Sequence, residues 1–133
     1  MREIKFRAFC VATQRMFYVS NLGWDYHAAN PDGVEGFTEQ GEACTWYDTD
    51  GTIIHLMQFT GLKDKKLKEI YERDILRFFN ETKEFHIGPV VWREQFSIWS
   101  VGLAITEIYP EDLWVKECEY EIIGNIYENP DLL

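Results

Sequence analysis

The chain has 133 residues, 46% of them hydrophobic, which is enough for one domain to bury a continuous core without disulfides or metal. A net charge of −10 sets its mean field against a phosphate backbone, and Cys10, Cys44 and Cys118 form neither a paired disulfide framework nor a CxxC ligand set. No run approaches the ~18 apolar residues of a membrane-spanning helix, and the opening Met1-Arg2-Glu3-Ile4-Lys5-Phe6-Arg7 alternates where a signal peptide would be continuously apolar, so the expected compartment is the cytoplasm.

Five Trp, seven Tyr and nine Phe are a heavy aromatic load that favours pleated, half-buried surfaces over helices. Ile4, Phe6 and Ala8 alternate with Lys5 and Arg7, the period of a strand with one dry face. A second strand, Met16-Phe17-Tyr18-Val19, is expected to pair with it across a turn near Thr13-Gln14. The segment 21–50, with Asn30-Pro31-Asp32-Gly33, Gly36, Gly41 and many acids, reads as an insertion of loops around weak elements. Asp50-Gly51 lies between Cys44-Thr45-Trp46-Tyr47 and Thr52-Ile53-Ile54-His55-Leu56, which predicts a β-hairpin.

Lys63 to Lys68 forms a polar connector, Tyr71-Glu72-Arg73-Asp74 a turn, and Ile75-Leu76-Arg77-Phe78-Phe79 a strand. After Gly88-Pro89, residues 90–93 and 96–101 predict a second hairpin. Tyr109-Pro110-Glu111-Asp112-Leu113 could open one helical turn, since Pro is tolerated at a helix start. A last strand over residues 120–127 ends at Asn129-Pro130. Short strands and tight turns of this kind predict a mainly β single domain over residues 1–133. Residues 70–130 would form an SH3-like small barrel or folded sheet, and residues 1–69 would supply N-terminal strands and the irregular acidic segment.

Charge is unevenly spread. Residues 1–20 carry Arg2, Lys5, Arg7 and Arg15 against Glu3, whereas residues 21–55 hold seven acids and no Lys or Arg. Residues 56–79 return to slight positivity, and the stretch from 80 onwards has eleven acids against Lys83, Arg93 and Lys116.

Three stretches together are distinctive: Arg2-Glu3-Ile4-Lys5-Phe6-Arg7-Ala8; Leu56-Met57-Gln58-Phe59-Thr60-Gly61-Leu62-Lys63-Asp64 running into Lys68-Glu69-Ile70-Tyr71-Glu72; and Ile122-Ile123-Gly124-Asn125-Ile126-Tyr127-Glu128-Asn129-Pro130. In this order, and across nearly the whole chain, they resemble the YopX family of bacteriophage and prophage proteins. The resemblance implies a phage-derived cytoplasmic protein with a β-rich fold, and it brings no enzymatic activity or catalytic residue with it. Leu67 and Arg73 stand where the family usually has Gly, so if those turns need φ > 0 they are strained or rebuilt here.

Residues with chemistry to offer are scattered. His27, His55 and His86 lack metal-ligand spacing, and His55 lies in a predicted strand. Asp48-Thr49-Asp50-Gly51 lacks the further oxygen ligands of a calcium loop. Glu72 and Asp74 could divide acid and base roles, but an Asp where a turn enters a strand commonly accepts backbone N–H groups. The cysteines have no local activating partner, and no phosphate-binding Gly loop or Gly-x-Ser-x-Gly elbow is present. An enzyme is thus the least supported class, and no metal or cofactor is expected.

Two binding readings remain. The leading one is a non-catalytic phage accessory domain that binds protein, either itself or a partner. Trp24, Tyr26, Phe37 and Trp46 cannot all be covered by so polar and Gly-rich a segment, and unpaired strand edges offer a second way to associate. The alternative is nucleic-acid binding through a basic strip formed by residues 2–7, including Lys5 and Arg7, with residues 63–68. The opposing net charge disfavours it.

Overall fold

The computed structural model of the chain describes residues 3–24, 31–47, 53–79, 85–93, 98–101 and 120–133. It divides into two compact units, Lys5–Gln58 and Phe59–Leu133 together with Met1–Ile4. Both are built from antiparallel strands, so the fold is mainly β.

In the first unit, β1 (Phe6–Cys10), β2 (Arg15–Trp24), β3 (Pro31–Phe37), β4 (Ala43–Tyr47) and the opening of β5 (Ile54–Lys63) follow the order β4-β3-β2-β1-β5. The β1–β2 hairpin closes through residues 11–14, where Gln14 takes φ 55° and donates from Nε2 to the Val11 carbonyl at 2.8 Å. Directly opposed residues share a face. One face therefore collects Ala8, Cys10, Phe17, Val34 and Trp46 into a buried cluster, with Val19, Leu22, Cys44, Ile54 and Leu56 against it. A side chain the size of Phe17, buried this fully, contributes about 1.5–3 kcal/mol through area removed from water.

Two expectations are corrected here. Segment 21–50 is not loops around weak elements, because it supplies the end of β2 and all of β3 and β4. A register shift between Val19 and Asn21 puts an extra residue in β2, so Val19 and Leu22 reach the same core although they are three apart. The hairpin expected around Asp50-Gly51 does not form between its two strands. β4 pairs with β3, whereas β5 pairs with β1 from Phe6↔Gln58 to Cys10↔Ile54. A favourable turn dipeptide acts locally, but β1 has two sides to fill, and β5 takes the one that β2 leaves. Asp50 and Gly51 themselves lie outside the described residues.

From Phe59 onwards β5 belongs to the second unit, where it pairs with β6 (Glu69–Tyr71). The remaining strands, β7 (Asp74–Phe79), β8 (Phe85–Arg93), β9 (Ile98–Val101) and β10 (Glu121–Asn125), follow the order β10-β7-β8-β9, and a short 3-10 helix spans Pro130–Leu132. This order is compatible with an SH3-like arrangement. The β8–β9 hairpin forms as expected, with β8 starting earlier, at Phe85. Ile70, Leu76, Phe78, Val90, Val101 and Tyr120 make the core, with the Phe78 and Tyr120 rings 4.9 Å apart. The helical turn expected at 109–113 lies outside the described residues. Among the described residues, no helix is long and apolar enough to cross a membrane.

Candidate functional site

The polar residues of the signature stretches build turns. Asp64, almost fully buried, accepts the Lys66 and Lys68 N–H groups on Oδ1, both at 2.9 Å, and the Ile122 N–H on Oδ2 at 3.1 Å. Backbone bonds from Asp64 N to Lys68 O and from Leu67 N to Asp64 O close the same turn. Thr60 bridges the irregular β5–β6 pairing by donating to the Ile70 carbonyl and accepting from Leu62 N. The next residue, Gly61, takes φ 89°, a value that favours glycine.

Asp74 is buried and accepts the Tyr71 N–H at 2.8 Å, the role expected of an Asp where a turn enters a strand. Glu72 faces Arg73 at 3.9 Å. The strain anticipated at two positions is present: Leu67 takes φ 65° and Arg73 takes φ 69°. Across the sheet Asn125 stands opposite Asp74, accepts the Tyr127 and Glu128 N–H groups, and donates to Glu128 Oε1. Asn129 Oδ1 accepts the Asn125 N–H, and it lies so near Gly124 that a Cβ there would meet it at 2.5 Å.

Glu121 gathers charge. Its carboxylate meets Lys66 Nζ at 2.8 Å, Arg77 Nη2 at 2.5 Å and Lys65 Nζ at 3.1 Å, and its side chain is 11% exposed. The hydrogen bond from Lys66, followed by those from Arg77 and Lys65, holds its pKa down to about 2. The same contact raises the pKa of Lys66. Lys65 and Lys66, half of the expected 63–68 basic strip, are thereby engaged with an acid of the same unit.

The candidate binding residues from the sequence have different fates. Trp46 is 6% exposed and belongs to the core, and Arg7 is 6% exposed. Lys5 is half-buried, whereas Phe37 is 51% exposed. Trp24 ends β2, its side chain beyond description, and Tyr26 lies outside the described residues. His55 on β5 and His86 on β8 are half-buried, the latter stacked on Phe78 at 5.4 Å. Among the described residues no group of three or more His, Cys, Asp or Glu side chains is placed to hold a metal ion.

Phe37 has exposed company that sequence reasoning missed. Tyr18, directly opposite it on β2, is 38% exposed, and Tyr47, opposite Gly33 on β4, is 50% exposed. All three share the face of β2–β4 that points away from the Trp46 cluster, with the exposed Glu35 between Gly33 and Phe37 on β3. The available signal was alternation, because Tyr18 lies between core-packed Phe17 and Val19, and Tyr47 follows core-packed Trp46.

These features define a mainly β protein of two antiparallel units, with turns fixed by buried Asp and Asn side chains and an aromatic face left open on β2–β4. It belongs to the YopX family, whose family model, YopX protein, matches residues 5–133. The chain is similar to two solved structures over 100% of its own length and 99% of theirs. They are protein EF1440 from Enterococcus faecalis, with 22% identity and a TM-score of 0.72, and protein yopX from Bacillus subtilis, with 21% identity and a TM-score of 0.57. At such identities the likeness shows the fold alone. No curated protein matches the chain.

Proposed function

We propose that this YopX-family protein is a non-catalytic phage accessory domain of the cytoplasm that works by binding protein through the open face of β2–β4. The exposure of Phe37, Tyr18 and Tyr47 together on strands whose opposite face is the core supports this reading. Grouped aromatic exposure is costly in water unless a partner covers it, and Tyr is among the most effective interface residues. The carboxylates in and beside the signature stretches support a non-catalytic role, because Asp64 and Asp74 serve backbone donors and Glu121 is held by three cations.

Nucleic-acid binding through residues 2–7 and 63–68 is the weaker reading, since Lys65 and Lys66 are already engaged by Glu121 and the net charge of −10 opposes a phosphate backbone. Affinity capture from host lysate with wild type and with a Tyr18→Ser, Phe37→Ser, Tyr47→Ser variant tests the proposal. The expected result is a reproducible partner, or a second copy of the chain, that the folded variant loses. Equal capture by both, or sub-micromolar binding to random oligonucleotides that is lost with Lys65→Glu and Lys66→Glu, would overturn it.

A further inference from the structure

The open face of β2–β4 ends at an edge, and the chemistry of that edge restricts what can dock there. β4 closes the order β4-β3-β2-β1-β5, and among the described residues its strand partner is β3 alone. Proteins normally blunt such an edge with Lys, Pro or an inward-pointing charge. β4 reads Ala43-Cys44-Thr45-Trp46-Tyr47 and has none of these.

The surroundings are acidic. Glu35 is exposed on the aromatic face, directly opposite Thr45 of β4, and Glu39 and Glu42 are exposed in the β3–β4 turn. Glu42 is paired with Arg15. Residues 21–55 contribute no Lys or Arg, and the first unit, Lys5–Gln58, sets seven acids against Lys5, Arg7 and Arg15, a balance of 3 − 7 = −4. A second copy pairing β4 to β4 would bring two such acidic margins together, which opposes self-pairing.

We infer that the occupant of this face is an extended basic segment of another protein, which adds as a strand beside β4 and lays an Arg or Lys side chain over Glu35 between the rings of Phe37 and Tyr47. Strand addition supplies main-chain hydrogen bonds that carry little sequence information. Selectivity comes from the alternate side chains on the aromatic face, where a cation meets a carboxylate and the faces of aromatic rings together. A guanidinium suits the site better than an ammonium, being planar, able to stack and less strongly hydrated. The inference rests on the proposed protein-binding role and adds the chemical class of the partner.

The test uses the full-length 15N-labelled protein and three synthetic seven-residue peptides of alternating Val and Arg, alternating Val and Glu, and alternating Val and Arg with N-methylated backbone. Amide shifts of residues 33–47 are followed during titration at low and physiological salt. The inference expects saturable shifts centred on Thr45, Tyr47 and Phe37 with the first peptide, and affinity at least tenfold lower with the other two. Glu35→Lys should lower affinity for the Arg peptide about tenfold while the remaining spectrum stays native.

Absence of shifts in residues 33–47 with the Arg peptide would overturn it. So would equal affinity for the Arg and Glu peptides, or an unchanged affinity in Glu35→Lys. Phe37-dependent self-association in sedimentation, without peptide binding, would overturn the basic partner while leaving the protein-binding role intact. Loss of neither self-association nor lysate capture in the triple Ser variant would remove that role as well.

Discussion

Asp64 accepts through Oδ2 the backbone N–H of Ile122, 58 positions further along the chain, at 3.1 Å. The same carboxylate closes its own turn through Lys66 N and Lys68 N, so one buried side chain ties the central signature stretch to the closing one. A second tie lies nearby, where Asp74 stands opposite Asn125 and Ile126 N donates to the Arg73 carbonyl. The signature is therefore a set of fold-determining turns.

Asp64→Ala should destabilise the protein by about 3 kcal/mol, because three backbone donors lose a charged acceptor at once. Asp64→Asn keeps one carbonyl oxygen and should cost less. Asp74→Ala, which releases the Tyr71 N–H, should cost about 0.5–2 kcal/mol by analogy with lost helix caps. Urea denaturation of the three variants checks the order, and an Asp64→Ala midpoint equal to wild type would contradict it.

Leu67 and Arg73 occupy left-handed backbone, at φ 65° and 69°. The Leu67 side chain is 78% exposed, and the Arg73 guanidinium meets Glu72 at a long 3.9 Å while its backbone bonds would survive truncation, so neither side chain gives up much. Leu67→Gly and Arg73→Gly should each stabilise the fold by about 1 kcal/mol, the cost of a Cβ in that conformation less the entropy of a glycine. Thermal melts would read this as a rise in Tm for each variant.

The Glu121 cluster makes stability depend on acidity. Its pKa falls from 4.5 to about 2 on folding, so its contribution is complete above the unfolded value and is lost as pH drops through the folded one. Part of the acid destabilisation between pH 4.5 and 2 should disappear in Glu121→Gln. High salt should weaken the effect, since Lys65 and Lys66 are substantially exposed.

Phe37 and Trp46 should separate stability from binding. Phe37→Ser removes a side chain that is 51% exposed and should change stability by no more than about 0.5 kcal/mol. Trp46→Ala empties a core position and should cost about 3–5 kcal/mol. Calorimetry on the two variants checks both.

Strands written as short apolar runs bounded by turn residues were legible in the sequence: β1, β7, the β8–β9 hairpin and β10 all lie close to their expected positions. β3 and β4 were not, because Pro31, Gly33 and Gly36 and the interspersed acids imitate loop composition, and the extra residue in β2 breaks the period between Val19 and Leu22. Pairing was harder still, since Asp50-Gly51 carries local turn preference while the partner of β5 is decided by the free side of β1. At the candidate site Phe37 and Trp46 looked alike in sequence, both aromatics in an acidic stretch. Strand phase separates them, and it is visible only once the register is known.

The central claim is that the face of β2–β4 bearing Phe37 and Tyr47 touches another protein in the cell. It is tested most directly by placing a photo-crosslinking benzoyl-phenylalanine at residue 37, 47 or 67 and irradiating intact host cells. Leu67 serves as the control, exposed but on a turn of the other unit. The account predicts a discrete higher-mass adduct from positions 37 and 47 and none from 67. Adducts from 67 alone, or no adduct from either 37 or 47, would contradict it.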